Sequence, residues 1–77
     1  MKLWILKPRD ENGGPWMPWY DKVFGFVVRS KTEEGARALA SKDHRDEGKD
    51  AWLDSKLSTC AELAPEGKAE IIMRGFE

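Results

Sequence analysis

The feature that most constrains this chain is the stretch GGPWMPWYDKVFGFVVRSK (13–31), which concentrates aromatic side chains in a very short protein. It holds five of the eight aromatic residues in the 77-residue chain, together with two prolines and three glycines. A chain of this length buries only about 60–65% of the surface that its unfolded form exposes, so its margin of stability is small. The stretch is therefore either a contribution to the core or an aromatic surface for a partner.

Two segments in the first half of the chain have the pattern of strands. KLWILK (2–7) alternates its side chains and is rich in β-branched and aromatic residues, and Pro8 is expected to end it. KVFGFVVRS (22–30) carries apolar residues on both faces, which predicts the central strand of a sheet. Residues 8–21 between them contain NGG and two further prolines, which predicts a long loop.

A helix is expected directly after the second strand. Ser30 with Glu33 three residues later has the spacing of a capping box, and Thr32 is a second candidate N-cap. Ala36, Leu39 and Ala40 form a narrow apolar stripe at helical spacing, which would let the helix lie close to a sheet. The helix is predicted to end around residues 43–45, before Gly48.

The sequence after Asp50 predicts a loop or short 3-10 turn anchored by Trp52 and Leu53, followed by a hairpin. LSTCAEL (57–63) and KAEIIMRGF (68–76) are its expected arms, joined by APEG. The order β-β-α-β-β predicts an α+β fold in a single domain over residues 1–77. We expect a four-stranded antiparallel sheet with one helix packed on one face.

Composition excludes several classes of function. Net charge is −1, divided between +3 in residues 1–31 and −4 in residues 32–77, so a strongly basic nucleic-acid footprint is absent. No apolar run approaches the ~20 residues of a membrane span, and the start lacks a signal-peptide pattern, so we expect a cytoplasmic protein. The single cysteine, Cys60, can form neither an internal disulfide nor a cysteine-based zinc site.

The sequence shows no catalytic set, so we expect a protein that is not an enzyme and that needs no cofactor or metal. His44 is the only histidine and falls near a helix end, where its charge suits the helix dipole. Cys60 falls in a predicted strand and is interpreted as a small buried hydrophobe. The acidic residues around Gly48 do not match the spacing of a calcium-binding loop.

The aromatic residues divide into two groups. Trp4, Phe24, Phe26 and Trp52 lie in predicted strands or anchors and are expected in the core. The second group lies in the proline-bounded loop and either folds back as a lid on the sheet or forms a recognition surface. This group consists of Trp16, Trp19 and Tyr20.

Two blocks of the sequence carry a resemblance. PWYDKVFGFVVRSKTEEGARALA (18–40) and GKDAWLDSKLSTCAEL (48–63) resemble a group of short phage and prophage proteins. These share a PWYDK loop, an EE-x-AR-x-LA helix and a WLD…STC-x-EL segment over about the middle two-thirds of the chain. Within this group the chain is similar to a small anti-CRISPR protein acting on a type I system, with type I-C as the suggested subtype.

The resemblance implies a phage-encoded inhibitor that acts in the host bacterial cytoplasm, as a monomer and without binding nucleic acid directly. Its expected partner is the RNA-guided surveillance complex (Cascade), whose recognition of target DNA it would block by occlusion. Such a complex holds DNA in channels lined with Lys and Arg, so the expected partner-binding residues are acidic. They are Glu33, Glu34, Asp43, Asp46, Glu47 and Asp50.

Two other hypotheses stay open on the sequence. The first is a nucleic-acid-binding accessory protein, which would use the loop aromatics Trp16, Trp19 and Tyr20 with the nearby basic residues. Those basic residues are Arg9, Lys22 and Arg29. The second is a small phage structural or regulatory protein that pairs through an open sheet edge, as a homodimer would.

Overall fold

A computed structural model describes residues 1–17 and 21–74 of the chain. The elements are β1 (Lys2–Pro8), a short 3-10 helix (Gly14–Trp16), β2 (Phe26–Ser30), α1 (Glu33–Lys42), α2 (Asp50–Leu53) and β3 (Ser58–Glu62). The strands form one antiparallel sheet in the order β2-β1-β3. The fold is α+β, with both helices packed on one face of the sheet.

The predicted four-stranded sheet with one helix is wrong, because the sheet has three strands and a second helix, α2, precedes β3. The C-terminal hairpin does not form in the described residues: β3 pairs with β1 instead, and residues 63–74 contain no strand. The side chain of Lys7 donates a hydrogen bond to the carbonyl of Ile72, and Met73 lies against Gly25. These contacts hold the C-terminal segment near the β1–β2 side of the sheet, away from a hairpin with β3.

The prediction that residues 22–30 form the central strand is also wrong, since β1 is central and β2 lies at an edge. Strand β2 starts only at Phe26. Upstream, the backbone N–H of Val23 donates to Glu47 and its carbonyl accepts from the indole of Trp16. Because side chains occupy these backbone groups, they are not available to a strand ladder.

Register places alternate residues of β1 on the two faces of the sheet. Leu6 lies opposite Phe26 on one side and Cys60 on the other, so all three side chains point toward the helices. The opposite face carries Leu3 and Val27, which are 37% and 50% exposed, and Ile5, which is buried but lies outside the main cluster. The core therefore lies on the helix side of the sheet.

Helix α1 begins close to its predicted position but with a different cap. Thr32 is the N-cap, and its hydroxyl accepts a 3.1 Å hydrogen bond from the backbone N–H of Gly35. The Ser30–Glu33 capping box is wrong, because Ser30 accepts from Thr32 and Glu33 pairs with Arg37. The helix ends at Lys42, with Asp43 as its C-cap, which agrees with the predicted end.

The apolar stripe of α1 is confirmed at Ala36 and Ala40, both buried, but not at Leu39, which is 50% exposed. Arg37 is buried in its place. Small alanine side chains allow the helix to approach the sheet closely, and this approach brings the Arg37 guanidinium to the start of β3.

Tryptophans form the centre of the core. Trp16 and Trp52 are fully buried and meet edge to face, with ring centroids 5.2 Å apart, and Phe26 meets Trp52 in the same way at 4.9 Å. Trp4 and Phe24 are half-buried against this cluster, so the predicted core role of these aromatics is confirmed. Trp16 belongs to the core as well. At this residue, therefore, the aromatic stretch contributes to the core and is not an exposed surface.

Across residues 1–17 and 21–74, no helix combines the length and the apolar character needed to cross a membrane.

Candidate functional site

The six acidic residues expected to bind a partner do not form one group. Glu33 and Glu34 lie in the first turn of α1, whereas Asp43 follows its last turn, so about 15 Å of helix separates the two ends. Asp46 and Asp50 lie beyond Asp43, in the loop between the helices and at the start of α2. Four of the six thus lie within residues 43–50, and the first two lie at the other end of α1.

Glu33 and Glu34 differ in their surroundings. Glu33 accepts a 3.0 Å hydrogen bond from Nε of Arg37, one helical turn away, and its side chain is half-buried. Glu34 is exposed. Glu33 therefore balances the charge of a buried guanidinium, and only Glu34 is fully available at this end of the helix.

Glu47 lies in the interior, where it is 7% exposed. Its Oε2 accepts a 2.6 Å hydrogen bond from the indole of Trp52, and its Oε1 accepts from the backbone N–H groups of Val23 and Arg45 at 3.1 and 3.2 Å. Three donors and a nearly complete burial make Glu47 a structural carboxylate that fastens the loop before β2 to α2. A partner could not contact it without local unfolding.

A carboxylate that the sequence analysis did not select joins the remaining acids. The backbone N–H of Asp21 donates to Oδ2 of Asp46 at 3.0 Å, and the carbonyl of Asp21 accepts from the backbone N–H of Asp46 at 3.0 Å. These two bonds bring Asp21 beside Asp46, although 25 residues separate them along the chain. No local pattern could reveal this, since the pairing depends on the path of the loop.

We call Asp21, Asp43, Asp46 and Asp50 the acidic surface. All four are exposed. Arg45 forms a 3.3 Å ion pair with Asp21 at the edge of the group, and both side chains remain largely exposed to water. Within residues 43–50, the exposed Asp43, Asp46 and Asp50 and the buried Glu47 stand against Arg45 and Lys49, so this segment has a net charge of −2, and Lys22 and Lys42 flank the acidic surface.

The hypothesis of a nucleic-acid-binding loop rests on three aromatic residues, of which the described residues include only Trp16. Trp16 is 1% exposed, and its indole N–H donates a 2.8 Å hydrogen bond to the carbonyl of Val23. A base cannot stack on a ring that is covered on both faces by the core. Trp19 and Tyr20 lie outside the described residues.

The three basic residues of the nucleic-acid-binding hypothesis do not form a cluster. Arg9 follows the last residue of β1, whereas Arg29 lies opposite Leu3 near the first, about 20 Å away along the strand. Arg9 also donates through Nε to the carbonyl of Ser55. Lys22 is half-buried in the segment before β2. The three cations therefore do not line a common groove.

His44 and Cys60 are the two residues that the sequence analysis considered for catalysis. His44 is exposed, and its Nδ1 lies 2.7 Å from the carbonyl of Arg45. Burial raises the pKa of the Cys60 thiol above its ordinary value, Glu33 raises it further, and Arg37 partly offsets both effects. A raised pKa keeps the thiol protonated and weakens it as a nucleophile. No group of three or more metal-ligating side chains occurs in residues 1–17 and 21–74.

Comparison of the chain with protein-family models, curated proteins and solved structures found no match.

Proposed function

We propose that this chain is a binding protein without enzymatic activity, which inhibits a nucleic-acid-handling partner by covering one of its basic surfaces. The observation that carries this proposal is the pairing of Asp21 with Asp46, which adds a fourth carboxylate to an exposed and net acidic loop. The pairing holds the loop between the helices in a defined conformation, so the carboxylates need less ordering when a partner binds.

Electrostatics support a basic counterpart. Channels that bind nucleic acid are lined with Lys and Arg, and an acidic protein surface competes for the same charges. Clustered carboxylates also speed the encounter with such a surface, and this acceleration falls as ionic strength rises. The acidic surface thus suits a partner whose natural ligand is a polyanion.

The partner that we propose is the type I RNA-guided surveillance complex (Cascade), in the cytoplasm of the host bacterium. This choice is supported by the sequence resemblance to phage-encoded anti-CRISPR proteins. The chain would act as a monomer, bind the protein surface rather than DNA, and block target-DNA recognition by occlusion.

The experiment is a pull-down with purified type I-C Cascade, followed by a mobility-shift assay with target DNA at increasing concentrations of this protein. We expect co-purification and a loss of DNA binding that saturates as the complex is filled. Normal DNA binding by a saturated complex would rule out occlusion and leave a block of nuclease recruitment as the mechanism. Failure to bind Cascade at low salt would reject this partner.

Charge-reversal variants locate the surface. Asp43→Lys with Asp50→Lys changes two exposed acids whose side chains make no described hydrogen bond, so folding should be preserved. We expect this variant to weaken inhibition at least about tenfold. The matched control, Glu66→Lys with Glu70→Lys, makes the same change of charge in the C-terminal segment and should inhibit normally. Equal loss in both variants would indicate a dependence on net charge instead of on this surface.

A further inference from the structure

A concave region that none of the acidic-surface residues lines lies where the end of β1 meets the chain before β3. It is a cavity of about 220 Å³, and it borders the 3-10 helix. Its walls include Arg9, Asp10, Gly13, Pro15, Lys56 and Leu57. Pockets that hold drug-sized ligands start near 300 Å³, so this one suits a small ion or a single chemical group.

The cavity is lined by two cations whose charge no carboxylate of the described residues balances. Neither Arg9 nor Lys56 forms an ion pair with any of the residues in 1–17 and 21–74. Arg9 is nevertheless held in position, since its Nε donates a 2.6 Å hydrogen bond to the carbonyl of Ser55 and its backbone N–H donates to Leu57. This leaves the terminal N–H groups of a fixed guanidinium for an anion, the geometry that arginine offers to phosphate.

One carboxylate shares the cavity with these cations. Asp10 accepts a 3.0 Å hydrogen bond through Oδ1 from the backbone N–H of Asn12, and its Oδ2 lies against Gly13, where a side chain would collide with it. Asp10 is thus fastened by its own turn, and it makes no ion pair with Arg9. A fully ionised anion would be repelled by it, whereas an anion that carries a proton could donate a hydrogen bond to it.

We propose that this cavity binds a protonated phosphate, with Arg9 and Lys56 holding its charge and Asp10 accepting the hydrogen bond of its P–OH group. Hydrogenphosphate retains a proton at neutral pH and sulfate does not. The site therefore selects phosphate over sulfate, although the two ions share their shape. This binding is independent of the proposed inhibitory function.

The test is a ¹H–¹⁵N NMR titration of the whole protein with sodium phosphate at pH 7, and with sodium sulfate at the same ionic strength. We expect saturable shifts at the amides of Arg9, Gly13 and Gly14 with phosphate, and at least about tenfold weaker binding of sulfate. The absence of a saturable shift at about 10 mM phosphate would overturn the proposal. Equal affinity for the two ions would overturn it too, because Asp10 would then have no role.

Three variants separate the roles of the charges. Lys56→Gln should weaken phosphate binding about tenfold, since one charge-assisted contact is lost. The control, Lys31→Gln, removes an exposed lysine outside the cavity, and this variant should bind phosphate normally. Asp10→Asn keeps an acceptor for the Asn12 N–H but removes the negative charge. Sulfate binding should therefore rise to the level of phosphate in this variant, and an unchanged preference for phosphate would contradict the proposal.

The source of the phosphate is decided at pH 6, where a monoester retains a proton on about half of its molecules. Tighter binding of adenosine monophosphate than of inorganic phosphate would identify a phosphate ester as the ligand, with Pro15 and Leu57 as the apolar contact for its organic part. Weaker binding of the ester would identify the free ion.

Discussion

The indole N–H of Trp52 donates a 2.6 Å hydrogen bond to Oε2 of Glu47 in the interior of the protein. The same carboxylate accepts from the backbone N–H of Val23 and Arg45, so one side chain joins α2, the loop before it and the segment that leads into β2. The loop that carries the acidic surface is therefore positioned from inside, by an acid that is not itself on the surface.

Replacing Glu47 should destabilise the fold. Glu47→Ala leaves three N–H groups without their acceptor, which we expect to lower the free energy of unfolding by about 2–4 kcal/mol. Glu47→Gln keeps one acceptor oxygen but places an amide NH₂ among donors, so a smaller loss of about 1–3 kcal/mol is expected. Urea unfolding measures both. Glu66→Ala, an exposed control, should stay within about 0.5 kcal/mol, and an equally small effect at Glu47 would contradict the structural role.

Arg37 is a second interior charge, and each of its bonds has a named acceptor. Nη1 donates to the carbonyl of Trp52 and to the hydroxyl of Ser58, Nη2 donates to the carbonyl of Ser58, and Nε donates to Glu33. A lysine at this position retains the charge, but its single ammonium group cannot reach acceptors arranged around a planar fork.

We therefore expect Arg37→Lys to lower the free energy of unfolding by about 1–3 kcal/mol, and Arg37→Met by about 2–4 kcal/mol. Thermal unfolding followed by circular dichroism measures the effect. Arg29→Lys is the matched control, since Arg29 is exposed on the far face of the sheet, and it should change the midpoint little. A stable Arg37→Lys variant would show that the fork geometry does not matter.

Cys60 should react slowly with thiol reagents near neutral pH, because burial and the charge of Glu33 raise its pKa. Glu33→Gln retains an acceptor for Arg37 but removes that negative charge, so the pKa should fall and alkylation by iodoacetamide at pH 8 should become faster. Glu34→Gln changes a neighbouring exposed acid and serves as the control. No difference between the two variants would mean that Glu33 does not act on Cys60.

The same raised pKa sets a dependence of stability on pH. A thiol whose pKa is higher in the folded state contributes its stability at pH values below the pKa of the unfolded chain. The contribution is lost as the pH rises through the pKa of the folded state. Cys60→Ala should therefore lose less stability between pH 8 and about pH 10.5 than the unchanged protein, as measured by urea unfolding. A Cys60→Ala variant with the same alkaline loss would assign that loss to other groups.

The contact between Gly25 and Met73 tests how the C-terminal segment is held. A methyl group on Gly25 would collide with the sulfur of Met73 and lie 3.3 Å from the carbonyl of Leu6. Met73 is 39% exposed and its flexible side chain can move aside, so Gly25→Ala should cost no more than about 1 kcal/mol, with a shift of the Met73 methyl resonance in NMR spectra. The cost should be smaller still in a Met73→Ala background, where the sulfur is gone. An equal cost in both backgrounds would place the strain at the Leu6 carbonyl.

Local patterns predicted β1 and α1, but they missed α2 and predicted a strand at 68–76 that does not form in the described residues. The alternation in residues 2–7 gave a strand, the run from Thr32 gave a helix that ends at Lys42, and the aromatic side chains within residues 1–17 and 21–74 proved to be core. These succeed because a strand or helix of this length is decided by the periodicity of its own side chains, and because a short chain needs its largest apolar groups inside. The acidic character of residues 43–50 was likewise visible in the sequence.

Strand order was not visible, and the prediction failed there. Any strand with free N–H and C=O groups on both sides can be the central one. At Val23 the N–H donates to Glu47 and the C=O accepts from Trp16, and no local pattern around Val23 shows these contacts. The candidate site was also predicted only in part. The sequence pointed to Asp43, Asp46 and Asp50, but it did not show that Glu47 is buried or that Asp21 lies beside Asp46.

By itself, then, the sequence determined the first strand and the first helix, which side chains are large enough to build a core, and which half of the chain is acidic. Only the tertiary structure decided which acids are exposed, which tryptophans are buried, and which strand is central. The physical reason is that exposure and pairing depend on contacts between distant residues, such as Glu47 with Val23 and Asp21 with Asp46, whose energies no local pattern contains.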